Sequence, residues 1–409
     1  MFLTDEEKRM LNGECGEPLR FAMQMLKTLG EINGADRMIP IKHAHIAGIS
    51  FKSHGVAGTE WAEEMADKGA RVAIPTTYNV SGCDRSQDLG SPERWVTYSR
   101  RICAAYERMG IHGISTCTPY YLGYVPRLGE SVAWAESSAV VYANSILGAR
   151  DNREGGPSAL AAGLAGRTAN YGMHLDENRK GDIRVKVEVP LTDISHFGAL
   201  GNFTGKFINT KIAVFDGILD AKNEELLSMG GCMGVVGAPL MFHVVGITPE
   251  APSLEAAFGG KPYETVVFGK KELEESIADL NKGKDRNVDY VTIGCPHANL
   301  DQIKEVADKL QGKKIKSGVQ FHVQTNCAFK ALAEQLGYAK IIEDAGAKLL
   351  QDFCSPLGDP EDFGLKVMAT NSAKSAFYGP HNNHMDTWFG TLDQCIEAAV
   401  TGYWKDPEV

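Results

Sequence analysis

The 409-residue sequence predicts an α/β fold built on mostly parallel sheets. Short apolar runs alternate with helical periodicities between residues 39 and 112 and again from 289 onward, the order that builds parallel strands with crossover helices. Three runs also share an ending: Ile114-Ser115-Thr116-Cys117-Thr118-Pro119, Val291-Thr292-Ile293-Gly294-Cys295-Pro296-His297 and Leu350-Gln351-Asp352-Phe353-Cys354-Ser355-Pro356. In each, a strand-like run reaches a cysteine and a proline follows within two residues. A strand that stops there sets a thiol at its carboxyl edge, where ligands bind in open α/β sheets. The 44 glycines suit the many tight turns of such a fold. A chain of this length exceeds one ordinary core and divides into two or three domains.

In order, residues 4–30 read as helical, with Leu19, Ala22, Met23 and Leu26 at helical spacing. An apolar strand over 39–46 runs into the turn Ala47-Gly48-Ile49-Ser50, whose backbone donors and hydroxyl suit an anion. A helix over 59–69, a strand over 71–75 and loops at 76–79 and 81–84 follow. Pro92 opens a helix that Gly110 closes after Met109. Residues 131–148 read as a long small-residue helix, with a second at 158–166 after Gly155-Gly156-Pro157. The alternation over 184–189 marks a half-exposed strand, followed by a glycine-rich segment at 197–205 and an acidic helix near 220–229. The apolar run from Val235 to Gly246 reads as a buried strand. Beyond 289 come a strand to Cys295, a helix at 299–311, a strand at 318–325, a helix at 327–337, a strand to Phe353, a strand at 365–370 and a helix from Ser372.

The composition, 43% hydrophobic and 23% charged, is that of a globular protein. A net charge of -10 argues against nucleic acid or an anionic membrane as partner and leaves a small anionic substrate open. No apolar stretch is long enough for a membrane span, and the charged start lacks a signal-peptide core. Nine cysteines, odd in number and spread out, do not form a disulfide framework, and a cytoplasmic location with reduced thiols is expected.

Cys15, Cys103, Cys232 and Cys395 read as small buried hydrophobes. Cys83 and Cys327 lack the following proline. For Cys117, Cys295 and Cys354, structural zinc is disfavoured by the missing Cys-x-x-Cys pair. Three thiolates with an open fourth position fit an iron–sulfur cluster with one iron left for substrate. A catalytic Cys–His pair involving His297 is the rival. No phosphate loop or dinucleotide fingerprint is present. His381-Asn382-Asn383-His384 resembles a metal pair but sits among polar loop residues, and Lys374 is suited to a carboxylate or phosphate.

The stretches Ala44-His45-Ile46-Ala47-Gly48-Ile49-Ser50, Thr116-Cys117-Thr118-Pro119-Tyr120-Tyr121, Ala133-Trp134-Ala135-Glu136-Ser137-Ser138-Ala139, Asn144-Ser145-Ile146-Leu147-Gly148-Ala149-Arg150, Gly294-Cys295-Pro296-His297 and Thr370-Asn371-Ser372-Ala373-Lys374 resemble the large subunit of the aconitase X family. The resemblance covers nearly the whole chain. It implies an aconitase-like arrangement of three α/β domains around a central iron–sulfur site, with divisions near 1–112, 113–285 and 286–409. It also implies a cluster, 4Fe-4S by expectation, held by Cys117, Cys295 and Cys354. Substrate contacts would fall on Gly48, Ile49, Ser50, Asn79, Glu136, Ser137, Asn371, Ser372 and Lys374. A separate small subunit would supply the family's mobile domain. The implied activity is a hydro-lyase acting on (R)-5-phosphomevalonate, giving trans-anhydromevalonate 5-phosphate for isoprenoid synthesis, and cis-3-hydroxy-L-proline is the alternative substrate. A non-catalytic iron–sulfur sensor is the alternative of another class. The runs 153–158 and 175–179 resemble the phosphomevalonate branch, whereas the added Cys83 beside Asn79 departs from the pattern.

Overall fold

The computed structural model describes residues 1–87, 89–358 and 363–406, arranged around three parallel sheets. The first sheet has the order β4-β3-β2-β5, from strands β2 (Ala44–Ile46), β3 (Thr76–Tyr78), β4 (His112–Ser115) and β5 (Ala133–Trp134). Strands β1 (Met38–Pro40) and β6 (Arg167–Ala169) form a separate antiparallel pair. Helices α1 (Asp5–Leu11), α2 (Glu17–Ile32), α3 (Phe51–Asp67), α4 (Glu93–Arg108), α5 (Ser137–Ser145) and α6 (Gly156–Ala165) accompany them. Helix α6 is nearly all Ala, Gly and Leu because it is buried on every side. An added Cβ at Gly163 would stand 2.9 Å from Thr76 Oγ1, so a small residue lets the helix lie against the sheet. This sheet runs across the division expected at 112–113, since β4 and β5 pair with β3 and β2.

The second sheet, β10-β7-β8-β9, is built from β7 (Ile183–Val187), β8 (Ala213–Asp216), β9 (Phe242–Val244) and β10 (Glu264–Phe268). It carries α7 (Ile194–Ile208), α8 (Asn223–Val236), α9 (Leu254–Phe258) and α10 (Lys270–Leu280). The third, β13-β12-β11-β14-β15, comprises β11 (Tyr290–Ile293), β12 (Gln320–Thr325), β13 (Lys348–Gln351), β14 (Val367–Thr370) and β15 (Asp386–Phe389). Its helices are α11 (Leu300–Leu310), α12 (Cys327–Gln335), α13 (Tyr338–Ala345), α14 (Ala373–Asn382) and α15 (Leu392–Thr401). Buried Val, Ile, Leu and Ala on both faces make its core. Among the described residues no helix is long and apolar enough to cross a membrane.

The sequence reading is corrected in several places. Residues 71–75 are not a strand: the strand is Thr76–Tyr78, past Pro75, where buried Thr77 Oγ1 lies 2.7 Å from His45 Nδ1 and so satisfies a polar side chain inside the sheet. Residues 131–148 are not one helix: β5 comes first, and Glu136 then caps α5 by accepting from the Ala139 N–H at 2.7 Å. The expected buried strand over 235–246 is divided, its start closing α8 and its middle forming β9. The glycine-rich segment 197–205 lies inside α7. There Gly201 faces the Met229 carbonyl, and Gly205 faces Val236, closely enough that a Cβ would collide at 2.2 and 2.7 Å respectively. Cys15 is exposed in the turn between α1 and α2 rather than buried, whereas Cys103, Cys232 and Cys395 are buried as expected.

Candidate functional site

The carboxyl edges of the first and third sheets meet around one cavity of about 230 Å³. Cys117 follows β4, Cys295 follows β11 and Cys354 follows β13, and all three line that cavity. Gly294 makes the turn that delivers Cys295. Its φ is +95°, and a Cβ there would stand 2.2 Å from the Gln324 carbonyl oxygen of the next strand. Gly294→Ala therefore meets both a backbone penalty and a clash, and is expected to destabilise the protein by about 3 kcal/mol in urea unfolding. Gly318→Ala, at φ +89° with open space around it, isolates the backbone term and should cost about 1 kcal/mol. Equal costs for the two variants would show that the contact with β12 does not matter.

His297 joins the loops that carry the thiols. Its backbone N–H donates to Cys117 Sγ at 3.2 Å. Its Nε2 lies 3.0 Å from the Phe353 carbonyl, which can only accept, so Nε2 carries the proton. Nδ1 then accepts from the Thr116 hydroxyl at 3.0 Å. Burial holds the ring pKa down at about 4, partly opposed by the bond to Phe353, so the imidazole is neutral. The thiols are shifted the other way. Burial raises Cys117, Cys295 and Cys354 alike, and Cys354 is pushed up further by the other two. Among the described residues no three His, Cys, Asp or Glu side chains converge tightly enough to hold a single metal ion.

The opposite wall carries a buried ion pair. Lys374 Nζ, in the first turn of α14, donates to Glu136 Oε1 at 2.7 Å and to the hydroxyls of Ser137 and Ser138, each at 3.1 Å. Glu136 also accepts from Ser138 Oγ and the Ala139 N–H at 2.7 Å each. Burial alone would raise the Glu136 carboxyl, but the Lys374 charge and these bonds outweigh it and hold the pKa down at about 2. Lys374, although buried, is raised above its ordinary value because of Glu136.

Of the substrate contacts expected from the sequence, Asn79, Glu136, Ser137 and Lys374 line the cavity. The Asn79 Oδ1 is buried and meets no donor among the described residues. Gly48, Ile49 and Ser50 do not reach it: Gly48 turns the chain at φ +81°, Ile49 is buried in the first core, and Ser50 caps α3 by accepting from the Ser53 N–H. Their neighbour Ala47 lines the cavity instead. Asn371 and Ser372 face an adjoining pocket shared with Cys295 and Pro296, where Ser372 Oγ caps α14 and donates to the Cys295 carbonyl. Cys83 lies in a different cavity with Asp84 and Gln87. The substrate contacts expected from sequence omitted Arg153, Gln324, Tyr378 and Asn382, which also line the site, and His297, which was weighed as a thiol's partner and as a second ligand beside Cys295. Of these, His297 carried a signal in its place two residues after Cys295, Arg153 in the run 153–158 and Asn382 in the segment His381-Asn382-Asn383-His384, whereas Gln324 and Tyr378 carried none.

Models of three aconitase X domains match in chain order, the first over residues 1–177, the second over 181–278 and the third over 288–401. The chain is 39% identical to the phosphomevalonate dehydratase large subunit of Methanocaldococcus jannaschii, covering 97% of this chain and 100% of the relative. It is 34% identical to the cis-3-hydroxy-L-proline dehydratase of Pseudomonas aeruginosa, covering 97% of this chain but 69% of that longer protein. A crystal structure of Thermococcus kodakaraensis aconitase X in its holo-form superposes with a TM-score of 0.91 at 38% identity, covering 98% of this chain and 100% of that one. By the match along its whole length, in sequence and in fold, this chain belongs to the aconitase X family.

Proposed function

We propose that this chain is the large subunit of an iron–sulfur hydro-lyase that removes water from (R)-5-phosphomevalonate to give trans-anhydromevalonate 5-phosphate in isoprenoid synthesis. The observation that carries the reading is the convergence of Cys117, Cys295 and Cys354 on one cavity from three separate strand ends. Thiols that share a cavity without meeting at one point suit a polynuclear cluster, 4Fe-4S in this reading, in which each thiolate holds a different iron. Burial and mutual repulsion oppose their ionisation, and a cationic guest supplies the compensating charge. The same raised pKa values argue against a free nucleophilic thiol, and His297 has both ring nitrogens engaged, so it does not serve as that thiol's base.

When bound, the cluster supplies a Lewis-acidic iron for the departing hydroxyl. The chain's own residues shape the rest of the site. The Glu136–Lys374 pair fixes the Ser137 hydroxyl at the cavity wall, and Asn79 offers an unused acceptor to a substrate hydroxyl. Ser372 holds the Cys295 carbonyl from behind, Asn371 lines the adjoining pocket, and the turn Gly48-Ile49-Ser50 carries Ala47 into the wall. The substrate is assigned from the phosphomevalonate dehydratase relatives, at 39% and 41% identity, against 34% for the hydroxyproline enzyme. Their designation as large subunits supports a small-subunit partner of about one domain. Nine unpaired cysteines support a reducing, cytoplasmic location.

The test is anaerobic cluster reconstitution of the chain co-expressed with its small subunit, followed by assay of both substrates. Dehydration of 5-phosphomevalonate with no turnover of cis-3-hydroxy-L-proline is expected. The reverse preference would replace the substrate, and a loaded cluster with no turnover of either would favour the sensor reading.

A further inference from the structure

Among the described residues two cations, Lys374 and Arg153, stand on the cavity wall, and they differ in how their charge is met. Lys374 has all three donors engaged by Glu136, Ser137 and Ser138, and the Glu136 carboxylate balances its charge. Arg153 has no such counter-charge among the described residues. Among the described residues its side chain meets one protein acceptor, the Gly234 carbonyl in α8, which takes Nη1 at 3.0 Å. That bond fixes one arm of the guanidinium and leaves Nε and Nη2 to a ligand. A net positive charge with a planar two-donor face, held at one corner, is suited to paired oxygens of a phosphate.

The surrounding backbone favours the same ligand. Arg153 lies three residues before the first residue of α6, whose amino-terminal end carries partial positive charge. That end is pressed against the cavity wall, since a Cβ on Gly156 would stand 2.5 Å from the Ala47 carbonyl oxygen and Ala47 lines the cavity. Among the described residues, no carboxylate lines the cavity except Glu136, which is committed to Lys374. The unbalanced charge of the site is therefore at Arg153.

We propose that Arg153 anchors the phosphate monoester of the substrate and so sets the preference for a phosphorylated hydroxy acid over an unphosphorylated one. This rests on the hydro-lyase reading above and adds a residue and a specificity to it. Arg153 is exposed, so its replacement leaves the fold and the cluster site in place.

The test compares the cluster-loaded wild-type complex with Arg153→Gln and Arg153→Lys, measuring KM for 5-phosphomevalonate, competitive inhibition by inorganic phosphate, and competitive inhibition by mevalonate, which has the carboxylate but no phosphate. Arg153→Gln is expected to raise KM for 5-phosphomevalonate and the inhibition constant of phosphate by roughly 30- to 100-fold, the effect of losing a charged hydrogen-bonding partner. The mevalonate constant should move less than about twofold on the same reasoning, because its missing group is the one Arg153 would hold. Arg153→Lys should recover part of the loss. Equal weakening of phosphomevalonate and mevalonate would overturn the proposal by assigning Arg153 to the carboxylate, and unchanged constants would overturn it outright. A wild-type complex that does not turn over 5-phosphomevalonate fails the underlying reading, and that failure is visible before any variant is made.

Discussion

Replacing any one of Cys117, Cys295 or Cys354 by serine is expected to remove at least about 10³-fold of kcat/KM, the scale of losing a Lewis-acid contribution of several kcal/mol. Iron content and the visible absorption of the reconstituted protein should fall with it, since a hydroxyl is a poor substitute for a soft thiolate ligand. Cys83→Ser is the matched control. Cys83 is also buried and near the 352–357 loop through Ser81, yet it faces a different cavity, so iron content and activity should stay at the wild-type level. A Cys117→Ser protein that keeps both its iron and its activity would sink the site proposal, and a Cys83→Ser protein that loses iron would add a ligand to it.

Lys374→Met is expected to cost about 3–5 kcal/mol of stability, because it leaves the Glu136 carboxylate buried without its counter-charge. Glu136→Gln in the same background should restore a large part of this, and the coupling is read from a double-mutant cycle of thermal or urea unfolding. The pair also sets an acid limit. Glu136 is held near 2 in the folded chain against an ordinary value of 4.5, so its stabilisation is fully present above pH 4.5 and is lost as pH falls toward 2. In Lys374→Met the folded value rises, so the acid-unfolding midpoint should move to higher pH. An additive cycle with an unmoved acid midpoint would mean that the two groups do not stabilise one another. Lys374→Met should also lose activity, because Ser137 loses the ammonium that fixes its hydroxyl at the cavity wall.

The parts of this site that were legible in sequence were local. Proline after cysteine punctuates a strand whatever the rest of the chain does, which is why three thiols 178 and 59 residues apart could be assigned to strand ends (295 − 117 and 354 − 295). The parallel α/β rhythm was legible for the same reason. Glu136 and Lys374 were singled out, but their pairing across two sheets was not, because side-chain contacts between distant segments leave no trace in spacing. Glycine had two meanings that composition could not separate. In 197–205 the residues Gly201 and Gly205 press on α8 and Gly198 on Ala373 of α14, whereas Gly294 is a turn. The polar strand Thr76–Tyr78 was missed because Thr77 is satisfied by buried histidines supplied from elsewhere, His45 and His43, and Thr76 by the Ile74 carbonyl. Arg153 was marked only as the first residue of the run 153–158, with no role of its own, and the balanced charge of Lys374 is what makes it stand out.

The contacts of His297 bear on how such a site is filled. Its amide and both ring nitrogens reach the Cys117 loop and the residue before Cys354, while its own loop carries Cys295, and none of these bonds uses a metal. The conformational entropy of gathering three remote segments is thereby charged to folding and not to the uptake of a guest. A receptor arranged in advance binds with little reorganisation and can release and recapture its contents without coming apart. For the cluster proposed above, the expectation is reloading of a standing cradle without refolding of the subunit.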